Sequence, residues 1–171
     1  ALAITRALGP VDDAVRAALR AFRALPFRMQ PAGEIRGVRF VNDSKATNVE
    51  AATQAIEAFD RGLVVIMGGR FKGGDFGLLR GPLRARGAAV VAIGEATPLI
   101  RDALADVVPV HAVETLSAAV RRAFDLAPKG GTVVLAPACA SFDMFRDYAE
   151  RGRMFKREVM KLAEEHTTRE R

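Results

Sequence analysis

Between positions 11 and 22 the apolar residues Val11, Val15, Ala18, Leu19 and Phe22 recur at three- and four-residue intervals, with Arg16 and Arg20 between them and Arg23 just beyond. That spacing predicts an amphipathic helix, opened by Pro10 and closed by Pro26. Glu34-Ile35 and the alternating segment 38–41 (VRFV) flank Arg36-Gly37, which predicts a strand, a tight turn and a strand. A helix is expected from about Asn48 to Phe59. From Leu63 onward short apolar runs alternate with helical spacing. Strands are expected at 63–67 (LVVIM), 88–93 (AAVVAI), near Val108 (VPVHAV) and at 132–136 (TVVLA). Helices are expected at 78–86, 98–105, 116–126 and, last and longest, about 142–165. Short continuous apolar strands separated by helices point to an α/β fold, a Rossmann-like, doubly wound, mostly parallel sheet with helices on both faces.

Composition narrows the functional classes. The 171 residues carry 26 Lys and Arg against 20 Asp and Glu, a formal charge of +6, without a dense basic tract. This favours small anionic ligands and argues against a nucleic-acid partner. A single cysteine excludes an internal disulfide framework, and the two histidines, His111 and His166, are too far apart for a local zinc motif. No apolar run approaches the roughly eighteen residues a membrane span needs, so no membrane partner is expected and a reducing, cytoplasmic setting is. The chain begins at Ala1 rather than Met, and a trimmed or excised piece of a longer protein is expected. The polar tail from 166 to 171, HTTRER, lacks apolar periodicity and is expected to fray.

In an open α/β sheet the loops after the parallel strands gather on the edge where ligands bind, and three of these loops are rich in chemistry. NDSKATN (42–48) sets Asp43, Ser44, Lys45 and Thr47 between a strand and a helix. Thr47 and Glu50 fit a capping box, but Lys45 opposes the positive end of the helix dipole, a conflict that a bound anion would resolve. GGRFKGGDF (68–76) surrounds Arg70 and Lys72 with Gly68, Gly69, Gly73 and Gly74. It matches neither nucleotide fingerprint, and reads equally as a flexible turn with solvated cations or as a cradle for an anion. PACASFDMF (137–145) offers Ser141 as a helix cap or as part of a carboxylate site. Cys139 reads as a small buried residue, since no activating base is evident.

Taken together and in this order, NDSKATN, IMGGRFKGGDF (66–76) and LAPACASFDMFRDYAERGRMF (135–155) resemble the C-terminal domain of the Mur ligase family, in its D-glutamate-adding branch. The resemblance covers the chain from Leu25 onward. It implies a division into residues 1–24, the last helix of a preceding central domain, and residues 25–165, the amino-acid-binding domain. It also implies an ATP-dependent ligase of peptidoglycan precursor synthesis, joining D-glutamate to UDP-N-acetylmuramoyl-L-alanine through an acyl phosphate. The P-loop, the Mg2+ ligands and the UDP site would lie before Ala1, so the piece alone would be inactive, with no catalytic residue and no bound cofactor of its own. By the same resemblance Lys45, Thr47, Lys72, Ser141, Phe142 and Tyr148 hold D-glutamate, and Arg28 and Asp43 contact ATP when the domains close. Phe27 stands where the family often has His. A monomer is expected. The alternatives are the corresponding domain of another Mur or folylpolyglutamate-type ligase, and a Rossmann-like binding module without a ligase role.

Overall fold

The computed structural model describes residues 12–21 and 25–169. The first helix, α1, spans Asp13–Ala21 and buries none of its residues. Asp12 precedes it and accepts the Val15 N–H at 2.8 Å, as an N-cap does. The expected start at Pro10, Phe22 on the apolar stripe and Arg23 lie outside the described residues.

The strands are β1 (Gln30–Ile35), β2 (Val38–Asn42), β3 (Leu63–Gly68), β4 (Ala89–Ile93), β5 (Val110–Ala112) and β6 (Thr132–Leu135). They form one sheet in the order β1-β2-β6-β3-β4-β5. Only β1 and β2 pair antiparallel; every other neighbour is parallel. The hairpin turns at Arg36-Gly37, where φ is +49° and +82°, the positive-φ pair that suits the twist of adjoining strands.

Helices α2 (Val49–Glu57), α3 (Arg80–Ala85) and α4 (Thr97–Leu104) cover one face, and α5 (Leu116–Leu126) and α6 (Tyr148–Arg169) the other. Each central strand feeds both cores. Leu63, Val65 and Met67 pack with Val49, Ile56 and Leu83, while Val64 and Ile66 pack with Val120, Phe155 and Val159. Burial on both faces is why these strands read as unbroken apolar runs. The expected mostly parallel, two-sided α/β architecture is the observed one.

Among the boundaries that differ from the sequence expectation, three involve a change of local structure. The helix expected at 78–86 is divided into a 3-10 turn, Phe76–Leu79, capped by Asp75, and α3. The last helix starts at Tyr148, not near Phe142, because Ser141 instead closes a turn, its carbonyl accepting from Met144 and Phe145. At the far end the helix continues through Arg169. There the Thr167 and Thr168 hydroxyls bond back to the Ala163 and Glu164 carbonyls, and the helix takes in residues 166–169 of the polar tail.

The end of β3 has no room for a side chain. Gly68 and Gly69 have φ of +126° and +125°, and a Cβ would run into the Ile93 carbonyl oxygen at the first and the Ala140 carbonyl oxygen at the second. Gly69→Ala should therefore lower unfolding stability by at least about 2 kcal/mol, through positive-φ strain and displaced backbone. Urea denaturation at neutral pH measures this, and an unchanged midpoint would refute it.

Candidate functional site

The loops after β2, β6 and β3 emerge from three neighbouring strands at one sheet edge, and one side chain ties them together. Arg151, in the second turn of α6, is only 1% exposed. Its Nε donates to Ser44 Oγ at 3.0 Å, and its Nη2 to the Ser44 carbonyl at 2.9 Å. Both terminal nitrogens reach the Cys139 carbonyl at 3.2 Å, and Nη1 stands 3.5 Å from the Gly68 carbonyl. Ser44 Oγ in turn donates a hydrogen bond to the Tyr148 carbonyl at 2.7 Å, and Asn42 Nδ2 donates to the Gly152 carbonyl at 2.8 Å. Burial brings the Arg151 pKa down to about 10, partly offset by Cys139 and Asp143, so the group stays cationic at neutral pH. Arg151 falls in the F-x-x-Y-x-x-R-G segment (145–152) that contributed to the family resemblance, but no role was read for it there.

The glycine-rich loop is a fixed extension of the sheet in its first half. Arg70 and Ala140 exchange backbone hydrogen bonds at 2.9 and 3.0 Å, and Gly69 donates to the Ile93 carbonyl. The two cations of this loop then part company. Arg70 forms a two-pronged ion pair with Glu95 at 2.9 and 3.1 Å, whereas Lys72 makes no ion pair among the described residues and lines a cleft.

That cleft, of about 300 Å³, is walled by Thr47, Lys72, Ala140, Ser141, Phe142, Asp147 and Tyr148. Phe142 is 62% exposed at its mouth. Thr47 faces it because the capping role expected for Thr47 falls to Asn48, whose side chain accepts the Ala51 N–H at 2.8 Å. Ser141 is buried and is not a helix cap. Asp147 is, accepting the Glu150 N–H at 2.7 Å; that bond, with Arg146 and Arg153 nearby, holds its carboxyl below the usual range. Asp147 is a cleft residue that the sequence reading passed over, since its position suggested the middle of a helix.

A second cleft, of about 280 Å³, is lined by Arg28, Met29, Asp43, Lys45, Ala46, Ala51, Gln54 and Ala55. Lys45 lies in this wall, while its Nζ is 3.2 Å from the hydroxyl of Tyr148, a residue of the first cleft. All eight residues singled out in the sequence thus fall on two adjoining clefts. Asp43 is nearly buried and accepts the Met29 N–H at 3.3 Å. Burial pushes its pKa up, against the opposing pull of that bond and of Arg28. Cys139 is fully buried with its thiol pushed up to about 12, chiefly by desolvation, so it stays a neutral thiol, as its sequence context implied.

Residues 27–139 match the family described as Mur ligase, glutamate ligase domain. The chain belongs to the Mur ligase family. Among curated relatives of this Mur ligase domain, UDP-N-acetylmuramoylalanine--D-glutamate ligase of Solibacter usitatus is 47% identical over 159 residues, covering 93% of the chain and 36% of the relative. The enzyme of the same name from Pseudomonas aeruginosa is 47% identical over 167 residues, covering 95% and 37%. The chain thus spans about a third of the length of the curated relatives it matches. The crystal structure of UDP-N-acetylmuramate-alanine ligase MurC from Thermotoga maritima superposes with a TM-score of 0.60 at 18% identity, over 94% of this chain and 36% of that one, a likeness of fold. Among the described residues no helix is long and apolar enough to cross a membrane, and no three His, Cys, Asp or Glu side chains converge as a metal site.

Two outcomes follow for the Mur ligase domain. Arg151→Met should cost roughly 2–4 kcal/mol, because it strips buried carbonyls of their donors. Hydrogen exchange should quicken at the loops around Ser44, Gly68 and Cys139; unaltered exchange there would show that Arg151 does not hold them. Asp43 has its folded-state pKa above its unfolded one, so folding takes up protons and its ionisation opposes folding as pH rises out of the carboxylate range. Asp43→Asn should therefore be more stable than the parent at pH 7 and lose that advantage toward pH 3.5. Paired denaturant melts at the two pH values test the sign.

Proposed function

We propose that this chain is the amino-acid-binding, C-terminal domain of an ATP-dependent ligase that joins D-glutamate to UDP-N-acetylmuramoyl-L-alanine during peptidoglycan precursor synthesis. The observation that carries the reading is the first cleft. It presents the ammonium of Lys72, which makes no ion pair among the described residues, and the hydroxyl-bearing residues Thr47 and Ser141 beside the rings of Phe142 and Tyr148. A small dianionic amino acid needs separated carboxylate sites with an open mouth for its amine. Lys72 with Thr47 suits one carboxylate and Ser141 the other, while Lys45 adds positive charge from the rim. The identity of the two relatives supports D-glutamate over the amino acids handled elsewhere in the family and over a folate-type acceptor. It also disfavours a ligand-binding module without ligase chemistry.

In the second cleft Arg28 and Lys45 supply two cations on one wall, a donor set that fits a polyphosphate. Asp43 is committed on one side to Met29 and has its other oxygen for a hydroxyl or bound water. ATP, held with Mg2+ mainly by the domains outside this chain, supplies the phosphoryl group that activates the acceptor carboxylate as an acyl phosphate. The role of this domain is to deliver the amine of D-glutamate to that carbon and, on closure, to keep water from it. Residues 1–24, including α1, belong in this reading to the preceding domain, residues 25–165 form the amino-acid-binding domain, and the enzyme is a cytoplasmic monomer.

Alone, the open cleft should bind weakly, with a Kd in the millimolar range or above, about 4 kcal/mol at most. Titration of the 15N-labelled chain should shift resonances of Lys45, Lys72 and Ser141 with D-glutamate and not with L-glutamate. In the intact ligase Lys72→Ala should raise the D-glutamate KM by about tenfold or more, the loss of one charge-assisted contact. An unchanged KM would overturn the assignment of this cleft.

A further inference from the structure

The ridge between the two clefts is built from three residues that hold one another. Lys45 Nζ lies 3.2 Å from the Tyr148 hydroxyl and 4.7 Å from the centre of its ring. The Lys45 backbone N–H donates to the Phe27 carbonyl at 3.1 Å. The Phe27 ring packs edge-on against Tyr148, with centroids 6.3 Å apart and planes at 76°, and its other flank fills the space over Gly152 that a side chain there would need. The Tyr148 backbone is pinned in turn by Ser44 Oγ. A lysine has a long, freely rotating stem, yet this one is fixed by a hydrogen bond and a cation–π contact to a single ring. That ring belongs to the wall of the first cleft, while the lysine belongs to the wall of the second.

We propose that Tyr148 is a positioning residue for Lys45. Its hydroxyl parks the ammonium on the shared ridge, where one cation faces anionic groups arriving in either cleft, and Phe27 holds the ring in place from behind. The identity of the two ligands rests on the function proposed above; the parking of Lys45 rests on the geometry alone. Tyr148→Phe removes the hydroxyl and keeps the ring, its packing and the cation–π contact. Among the described residues the hydroxyl has Lys45 as its one hydrogen-bond partner.

The test is a double-mutant cycle in the intact ligase, using Tyr148→Phe, Lys45→Met and the pair, with KM for D-glutamate and for ATP and kcat measured separately. Tyr148→Phe should raise both KM values by about threefold to tenfold, the size expected of one ordinary, solvent-exposed hydrogen bond. It should leave the melting temperature unchanged and have no further effect once Lys45 is Met. An equal effect of Tyr148→Phe with and without Lys45 would overturn the inference by showing that the hydroxyl acts on the ligand or the fold directly. No effect in the parent background would overturn it as well. Lys72→Ala, run alongside, separates the two levels. A D-glutamate KM that does not respond to Lys72→Ala removes the assignment of the first cleft, whereas a responsive Lys72 with a silent Tyr148→Phe removes only the parking of Lys45.

Discussion

A guanidinium without a carboxylate partner sets the geometry of the binding edge. Removing Arg151 from water carries a desolvation cost large enough to bring its pKa down to about 10. The cost is met by oxygens of three chain segments, Ser44, Gly68 and Cys139, instead of by one acid. A carboxylate would satisfy the charge along a single direction. Distributed carbonyl acceptors satisfy it only if all three loops keep their positions at once, so the electrostatic requirement of one side chain becomes a positional requirement on the whole site. Loops are ordinarily the least constrained part of an α/β fold; here they are fastened to the most buried charged side chain among the described residues.

Around that hub the cations are sorted by their partners. Arg70 is neutralised by Glu95 at the exposed surface, a pair worth little to stability but sufficient to remove one charge from the glycine-rich loop. Lys45 is tethered to an aromatic ring, which restrains an ammonium without cancelling its charge. Lys72 is left to the cleft. The +6 of the chain is thus a poor guide to where an anion binds, because the positive charge that matters is what remains after local pairing.

Much of the fold could be read from the chain. The α5 boundaries match because its apolar periodicity is uninterrupted between a Thr115 cap and the Ala127-Pro128 stop, and the hairpin was legible in Arg36-Gly37. The misplaced start of α6 has a different origin. Phe142, Met144 and Phe145 carry apolar spacing that a helix would share, but residues 141–147 make turns, and the cap at Asp147 decides where the helix begins. At the site, the eight residues singled out from the motifs all line the two clefts, whereas Asp147, Met29 and Gln54 of the same walls were not among them, and the register of capping was off by one, Asn48 for Thr47. Local pattern carries no information about partners a hundred positions away. Arg151 was therefore visible only as a residue of the segment that carries the family resemblance, with no role attached to it, although its partner Ser44 lies 107 residues earlier.

The same separation has a consequence for how the domain comes to exist in a cell. Strand β6 inserts between β2 and β3, both made well before it, and Arg151 is synthesised after the last strand. A nascent chain can hold the complete set of six strands while the loop carbonyls at Ser44, Gly68 and Cys139 still lack their donor. The ribosome must deliver the first turns of α6 before those loops have any reason to adopt the shape that a ligand recognises. Products of premature termination upstream of that point would carry NDSKATN and the glycine-rich loop yet lack the donor that fastens them, so a single late residue makes the shape of these loops conditional on nearly complete translation of the domain.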